Sequence, residues 1–311
     1  MTTHSRLLGG LYGSLIGDAL GVPVEFSARP ARQADPVTGM RAHGVHNQPA
    51  GTWSDDGSLL LCTVESLVET RFDTQDMGER FLRWFDTGHW AAHGLVFDVG
   101  IATQQALDRI SMGTPAQDAG GSDLYDNGNG SLMRILPVAL ASLEVGLLEF
   151  PDRLRSASAI THGHLRSQMA CVFHGLIVRE LMAGQLAQVA LTLSRSCFHN
   201  LYEHSHELST FRDLLEADLA AWPESEVRSG GYVMETLTAS LWCLLTTSSF
   251  SECVLKAVNL GSDTDTTGCV AGGLAGVHYG IDAIGNEWQL ALPRQRDLQQ
   301  LFGRFIEAVT P

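Results

Sequence analysis

Apolar residues recur at helical spacing along almost the whole of this 311-residue chain, and no long segment alternates between polar and apolar residues. The spacing predicts helices over residues 5–20, 58–70, 74–87, 98–110, 131–145, 153–162, 166–183, 186–198, 207–220, 231–247, 250–260, 264–280 and 296–309. The segments between them are short or rich in glycine, and none has the composition of an interdomain linker. This pattern predicts one all-α domain that spans residues 1–311.

Glycines mark one side of the first predicted helix. The stripe comprises Gly10, Gly13, Gly17 and Gly21. Each glycine inside a helix costs about 1 kcal/mol relative to alanine, so four of them need a compensating contact. Close approach of a second backbone provides such a contact, and the glycine-rich helix around residues 272–276 is the predicted partner.

The composition describes a protein with a sizeable core and an acidic surface. Hydrophobic residues make up 44% of the chain and charged residues 18%, and the formal net charge is −15. This balance excludes non-specific nucleic-acid binding, which needs a basic patch. The six cysteines are scattered without C-x-x-C pairs, which is typical of reduced cysteines in a cytoplasmic protein. No signal-peptide pattern and no stretch of 18 uncharged apolar residues occurs, so no membrane-spanning segment is expected. The sequence does not indicate the oligomeric state, and a monomer is the expectation.

Two short acidic segments, far apart in the chain, contain the densest clusters of oxygen donors. The N-terminal acidic segment is residues 53–57, with Ser54, Asp55 and Asp56, and the C-terminal acidic segment is residues 261–268. Carboxylates and hydroxyls bind magnesium, manganese or calcium rather than zinc or copper. We expect the two segments to meet across the fold and to hold a pair of metal ions. A helix cap formed by Ser54 or Asp55 is an alternative that is compatible with metal binding.

The C-terminal acidic segment resembles three kinds of metal-dependent site, of which two fail. As a calcium-binding EF-hand loop it would place Leu274 at the twelfth position, where a bidentate glutamate is required. As the D-x-D-x-T nucleophile of a phosphatase it would have to end a buried strand, and residues 258–262 have no strand pattern. A metal site at a helix start, with Asp263, Asp265 and Thr266 as ligands, remains open beside a plain capped turn.

A third segment, residues 126–134, is a candidate anion-binding loop. Its glycines and Ser131 lead into a predicted helix, where free backbone N–H groups bind anions. It matches neither a Walker A loop nor a dinucleotide-binding fingerprint, and a plain loop is the alternative. His162, at a predicted helix break, is either a ligand contact or a structural histidine. Asp98 is either a helix cap or a catalytic carboxylate.

Together these segments resemble the ADP-ribosylglycohydrolase family, which includes the dinitrogenase-reductase-activating glycohydrolases. No single motif is decisive, but the ordered set covers nearly the whole chain and is highly specific. The matching motifs are Gly17-Asp18-Ala19-Leu20-Gly21-Val22-Pro23 with Glu25, Trp53-Ser54-Asp55-Asp56, Asp98-Val99-Gly100 with Thr103, Gly128-Asn129-Gly130-Ser131-Leu132-Met133-Arg134, Thr161-His162, and Asp263-Thr264-Asp265-Thr266-Thr267-Gly268.

The resemblance implies a compact orthogonal helical bundle with a cleft for two Mg²⁺ or Mn²⁺ ions. It implies hydrolysis of the bond between C1″ of ADP-ribose and a modified acceptor, arginine first, by a water that the metals activate, with ADP-ribose as product. The implied metal ligands are Ser54, Asp55, Asp56, Asp263, Asp265 and Thr266. The implied catalytic carboxylates are Glu25, Asp98 and Asp56. The implied substrate contacts are Asn127, Gly128, Asn129, Gly130, Ser131, Met133 and His162.

Three departures from the family's motifs leave the donor set complete. Ser54 replaces a threonine and keeps its hydroxyl, Gly57 replaces a threonine and loses one, and Ser262 stands where a glycine is usual. An enzyme is therefore expected. The alternatives are a catalytically silent ADP-ribose-binding regulator and a hydrolase of another ADP-ribosyl substrate such as O-acetyl-ADP-ribose. The acceptor stays open, whether a protein side chain, a nucleic-acid end or a small molecule.

Overall fold

A computed structural model describes residues 1–310 of the protein. Within that range it contains fifteen α-helices and no β-strand, which confirms the all-α prediction. The helices are α1 (Thr3–Gly21), α2 (Arg29–Ala34), α3 (Asp55–Thr70), α4 (Thr74–Thr87), α5 (Ile101–Ser111), α6 (Leu136–Ala141), α7 (Glu149–Ala159), α8 (Leu165–Met182), α9 (Ala187–Tyr202), α10 (Arg212–Glu216), α11 (Val233–Leu245), α12 (Phe250–Asn259), α13 (Thr264–Tyr279), α14 (Asn286–Ala291) and α15 (Gln295–Val309).

Helices α1 and α13 form the most extensive helix–helix contact of the fold, and glycines line it on both sides. A Cβ atom on Gly17 would overlap the carbonyl group of Gly268, and one on Gly21 would overlap the backbone of Asp265. The predicted contact between two glycine-rich backbones is confirmed. It places the C-terminal end of α1 against the first turn of α13, where the C-terminal acidic segment lies.

The other helices pack around this pair. Helices α11 and α12 contact α13, and α3 contacts α1, α6 and α15. By length and hydropathy alone, residues Thr3–Val24 qualify as a membrane-spanning helix, but 89% of that window is buried inside the protein, as in a core helix. All six cysteines are free, and five of them are buried.

Two predicted helices are shorter in the structure. The helix predicted over 131–145 is α6 alone, because Pro137 fits only the first turn of a helix. The helix predicted over 207–220 is a 3₁₀ segment (His206–Phe211) followed by α10. There the guanidinium group of Arg195 donates to the carbonyl oxygens of Leu214 and Ala217 at 2.7 and 2.6 Å. These two carbonyl groups lie at the end of α10, where a helix offers them no N–H partner.

Helices α2 and α14 were not predicted. Each has six residues, too short for apolar periodicity to stand out from a polar loop. The helix predicted to begin at Asp98 begins at Ile101, and Gly100 is its N-cap, so the alternative of Asp98 as a cap is wrong.

Candidate active site

The N-terminal acidic segment forms the start of α3. Ser54 is the N-cap, and its hydroxyl accepts the N–H of Asp56 at 3.3 Å. The buried carboxylate of Asp18, on α1, accepts the N–H groups of Ser54 and Gly57 at 3.0 and 2.8 Å. Asp55 and Asp56 therefore occupy the first turn of a helix whose start is anchored by a carboxylate of another helix.

The C-terminal acidic segment forms the start of α13 and meets the N-terminal one. Asp263 is the N-cap position, and Asp265 and Thr266 lie in the first turn. The hydroxyl of Thr266 donates to Oδ2 of Asp56 at 3.3 Å, although the two residues are 210 positions apart in the chain. The prediction that the two acidic segments meet across the fold is confirmed.

The joined segments contain buried carboxylate oxygens that have no partner. Within residues 1–310, these are Oδ1 of Asp56, Oδ1 of Asp263 and Oδ2 of Asp265. Burial, and then the neighbouring carboxylates, raise the pKa of Asp55, Asp56 and Asp265 well above the usual value. Glu25, Asp263 and Asp265 each place one carboxylate oxygen within 4.8 Å of the others. Unpaired buried carboxylates in this number fit hard divalent cations, which offset the cost of burying negative charge.

Glu25 and Asp98 reach the cluster from loops, and His46 lies between them. Nε2 of His46 is hydrogen-bonded to Oε2 of Glu25 and lies 3.9 Å from Oδ1 of Asp98. Burial raises the pKa of Glu25 to about 7, and the hydrogen bond to Glu25 raises the pKa of His46. Asp98 has a φ of 57°, in the left-handed region. Strain of this kind at a non-glycine residue is typical of functional sites.

Two strained backbone positions tie the Glu25 loop to the C-terminal acidic segment. The N–H of Phe26 donates to the carbonyl of Ser262, and the N–H of Ser262 donates to the carbonyl of Ser27, both at 2.7 Å. Phe26 and Ser262 have φ values of 59° and 65°. The positive φ at Ser262 gives a physical reason for the glycine that is usual there. The reciprocal bonds hold Glu25 close to Asp263.

The candidate anion-binding loop is a turn, and α6 begins only after it, so its N–H groups do not belong to a helix start. Five of these N–H groups donate to no acceptor within the described chain; they belong to Asn127, Gly128, Gly130, Ser131 and Arg134. The side chain of Asn129 donates to Oδ2 of Asp263 and to Oγ1 of Thr236, both at 2.8 Å. The loop and the carboxylate cluster are therefore joined by a direct hydrogen bond.

Three other side chains of the loop are held by the protein itself and are not free to contact a ligand. The hydroxyl of Ser131 is fully buried and accepts a hydrogen bond from Oγ of Ser158 at 2.9 Å. Met133 is only 3% exposed and belongs to the core. The amide of Asn127 is held by the hydroxyl of Ser167 at 3.1 Å and by a backbone carbonyl. The partly exposed backbone of Gly128 and Gly130 is thus the surface that the loop offers.

His162 packs against these two glycines. A Cβ atom on Gly130 would lie 2.9 Å from Cε1 of His162, and one on Gly128 would lie 3.3 Å from Nε2. Glycine at both positions makes room for the imidazole ring. His162 is 2% exposed, and burial, followed by the charge of Arg134, lowers its pKa to about 3. The ring is therefore neutral near pH 7.

A cavity of about 500 Å³ opens beside the loop. Its lining residues are Leu124, Tyr125, Asn127, Gly128, Arg166, Gly231 and Tyr232. Tyr125 is 96% exposed, and a backbone bridge between Gly128 and Tyr232 fixes the loop to the start of α11. A cavity of this size accommodates a small-molecule ligand.

Three residues near the site received no role from the sequence. Asp18 lies in a motif that matches the family, and a carboxylate within a largely apolar helix was the feature that could have pointed to it. Arg134 is fully buried and gave no signal beyond its place after the glycine-rich loop. His46, alone in a polar loop, gave none.

Comparisons with known proteins identify the family of this chain. The family model described as ADP-ribosylglycohydrolase matches residues 1–311. The ADP-ribosylarginine hydrolase Tri1 of Serratia proteamaculans (strain 568) is 30% identical, over 94% of this chain and 76% of its own. The ADP-ribosyl-[dinitrogen reductase] glycohydrolase of Rhodospirillum rubrum is also 30% identical, over 96% of this chain and 95% of its own. A solved structure titled ADP-ribosylglycohydrolase-related protein complex has a TM-score of 0.83 and 32% identity, and covers 99% of both chains. The chain therefore belongs to the ADP-ribosylglycohydrolase family.

Proposed function

We propose that the protein is a metal-dependent hydrolase that releases ADP-ribose from a modified protein side chain, with ADP-ribosylarginine as the first substrate to test. The names of the relatives, an ADP-ribosylarginine hydrolase and an ADP-ribosyl-[dinitrogen reductase] glycohydrolase, support this class of substrate. The hydrogen bond from Asn129 to Asp263 carries the proposal. It joins the carboxylate cluster, which suits cations, to the glycine-rich loop, which suits phosphates. Hydrolysis of an ADP-ribosyl bond at a metal site needs both kinds of surface.

Two divalent cations, Mg²⁺ or Mn²⁺, are the proposed cofactors. Their proposed ligands are Ser54, Asp55, Asp56, Asp263, Asp265 and Thr266. The three unpaired carboxylate oxygens support this assignment, because oxygen is the donor that both ions prefer. When bound, such ions supply Lewis-acid stabilisation and lower the pKa of nearby water.

Glu25, Asp98 and Asp56 are the proposed catalytic carboxylates. Cleavage at C1″ develops positive charge on the ribose, and carboxylates beside the scissile bond stabilise that charge. Glu25 reaches the cluster from its loop, a position suited to accepting a proton from the attacking water and passing one to the leaving acceptor. The hydrogen bond from His46 holds the Glu25 carboxylate in one orientation.

The substrate's ADP-ribose is proposed to lie along the glycine-rich loop. Backbone N–H groups of Gly128 and Gly130, with the imidazole of His162, would bind the pyrophosphate. The cavity beside the loop has room for the adenosine, and Tyr125 and Tyr232 offer aromatic surface for a base. The remaining proposed substrate contacts, at Asn127, Asn129, Ser131 and Met133, would be made through the loop backbone, because the side chains of Asn127, Ser131 and Met133 are held elsewhere.

A panel of ADP-ribosylated acceptors tests the proposal. Metal-free protein and protein with Mg²⁺ or Mn²⁺ restored are incubated with arginine-linked, serine-linked and nucleic-acid-linked ADP-ribose and with O-acetyl-ADP-ribose. We expect free ADP-ribose and unmodified acceptor by mass only when metal is present, and fastest with the arginine-linked substrate.

Other outcomes contradict specific parts of the proposal. Binding of ADP-ribose without release from any acceptor indicates the catalytically silent regulator. Release from O-acetyl-ADP-ribose alone transfers the activity to that substrate. Equal turnover after chelation removes the metals from the mechanism.

We also propose that the enzyme is a cytoplasmic monomer. Six free cysteines support a reducing compartment. Light scattering after gel filtration measures the oligomeric state, and cell fractionation measures the location. A stable dimer or an exported protein would contradict the respective part.

A further inference from the structure

Three buried polar side chains form a chain of hydrogen bonds that ends at His162. Nη2 of Arg134 donates to Oγ1 of Thr161 at 2.7 Å, and Oγ1 of Thr161 lies 2.9 Å from Nδ1 of His162. Arg134 and Thr161 have no exposed surface. The guanidinium of Arg134 is fixed further by a bond from Nη1 to the carbonyl of Ala157 at 3.1 Å and by stacking over Phe81 at 4.6 Å.

The direction of each hydrogen bond follows from what the groups can donate. A guanidinium group only donates, so Oγ1 of Thr161 is the acceptor in its bond with Arg134. The hydroxyl hydrogen of Thr161 then has one acceptor within reach, which is Nδ1 of His162. A neutral imidazole whose Nδ1 accepts must carry its proton on Nε2.

The Nε2 atom of His162 is turned toward the glycine-rich loop. It has no hydrogen-bond partner among residues 1–310, and a Cβ atom on Gly128 would lie only 3.3 Å from it. The nearby N–H groups of Gly128 and Gly130 also have no acceptor. An Nε2–H group here would be one more donor beside them, and a group of unpaired donors suits an anion.

We propose that Thr161 and Arg134 are positioning residues that hold His162 as its Nε2–H tautomer, so that the imidazole donates to an anion bound on residues 128–130. The identification of that anion as a phosphate of ADP-ribose rests on the proposed function, whereas the tautomer does not. The opposite tautomer leaves the Thr161 hydroxyl hydrogen buried without an acceptor, which disfavours it by roughly tenfold or more. The low pKa of His162 agrees with a neutral donor that works across the neutral pH range.

Two substitutions at Thr161 separate the hydroxyl from the shape of the side chain. Thr161→Val removes the hydroxyl at nearly constant volume, and Thr161→Ser keeps it. Thr63→Val is the matched control, because Thr63 is equally buried and its hydroxyl donates only to Leu59 of its own helix, at 2.8 Å. The ring nitrogens are observed by ¹⁵N NMR of the full-length protein, with the His162 signals assigned from the spectrum of His162→Gln. Calorimetry with ADP-ribose, in the presence of Mg²⁺, gives the affinity.

We expect the Nε2–H tautomer in the wild type, in Thr161→Ser and in Thr63→Val. Thr161→Val should show Nδ1–H or a mixture, together with about tenfold weaker ADP-ribose binding. An Nδ1–H signal in the wild type overturns the proposal, and so does a Thr161→Val protein with unchanged tautomer and affinity. If Thr161→Val does not fold, the wild-type and Thr161→Ser spectra decide. Absent hydrolysis with His162 in the Nε2–H form contradicts the proposed function and leaves this inference standing.

Discussion

The carboxylate cluster and the glycine-rich loop are joined by the hydrogen bond from Asn129 to Asp263, yet their unpaired groups are of opposite kinds. The cluster contains buried acceptors without donors, on Asp56, Asp263 and Asp265. The loop contains N–H donors without acceptors beside a neutral His162. Burial therefore leaves the first region with unpaired negative charge that divalent cations would offset, whereas the second region carries no unpaired charge of its own. Substitutions should consequently change stability and activity in opposite directions in the cluster, whereas a substitution at the partly exposed backbone of the loop should change affinity.

The strongest test of this difference between the two regions is Asp265→Asn, which keeps the shape of the side chain and removes its charge. Loss of a proposed metal ligand should lower turnover more than about 100-fold, beyond the effect of groups that only orient ligands. The metal-free variant should nevertheless be more stable than the metal-free wild type by about 0.5–2 kcal/mol, because a buried unpaired charge is gone. Denaturant unfolding and steady-state kinetics measure the two effects.

Asp86→Asn is the matched control for this substitution, since Asp86 is exposed. It should change neither turnover nor stability. An Asp265→Asn protein that is active, or less stable without metal than the wild type, would show that the cluster is not held together by cations.

Asn129→Ala removes the side chain that joins the two regions. Because the amide donates to Asp263 and belongs to the loop, the affinities for Mn²⁺ and for ADP-ribose should each fall about tenfold. Separate calorimetric titrations measure them. Asn127→Ala is the control: its partners lie outside the cluster, so metal affinity should be unchanged. Equal loss of metal affinity in both variants would mean that the hydrogen bond from Asn129 to Asp263 does not support the metal ligands.

His174→Leu measures what a buried neutral imidazole costs without a ligand. Burial lowers the pKa of His174 to about 3, and its Nδ1 has no partner among the described residues. Between that value and the ordinary histidine pKa of 6.5, the unfolded chain binds a proton that the folded protein excludes, so stability falls as the pH falls.

The variant lacks this proton, and its stability should therefore fall less steeply, by up to about 1.4 kcal/mol per pH unit. Unfolding midpoints between pH 4 and pH 7 provide the test, and the carboxylates common to both proteins cancel in the difference. Parallel curves would mean that His174 titrates normally in the folded protein.

The smallest effect on affinity is expected from Ser131→Ala. Its hydroxyl accepts from Ser158 in the core, so stability should fall by about 1 kcal/mol while ADP-ribose affinity stays within about twofold. Gly130→Ala should do the reverse, because its Cβ would press on the His162 ring. A Ser131→Ala protein with strongly weakened ADP-ribose binding would place that hydroxyl in the ligand site.

The sequence predicted the parts of this site that are local. Each acidic segment is recognisable by its adjacent oxygen donors at a helix start, and each glycine stripe by its spacing. The contact between the two acidic segments and the contact between the two glycine-rich helices were therefore predicted. The boundaries of α6 depended on Pro137, a signal that was present but not used. The left-handed φ of Asp98, the contact of His46 with Glu25 and the burial of Arg134 over Phe81 were not predictable, because tertiary contacts between distant segments set them.

The contact between α1 and α13 also has a consequence for folding during synthesis. The hydroxyl of Thr264 bonds the carbonyl of Gly21, 243 residues earlier in the chain. At typical rates of synthesis α1 leaves the ribosome roughly 10–50 s before its partner does. Throughout that interval its apolar, glycine-rich face has no native surface to cover it. Contacts of such high sequence separation slow folding, and the two acidic segments can meet only when synthesis has passed the start of α13.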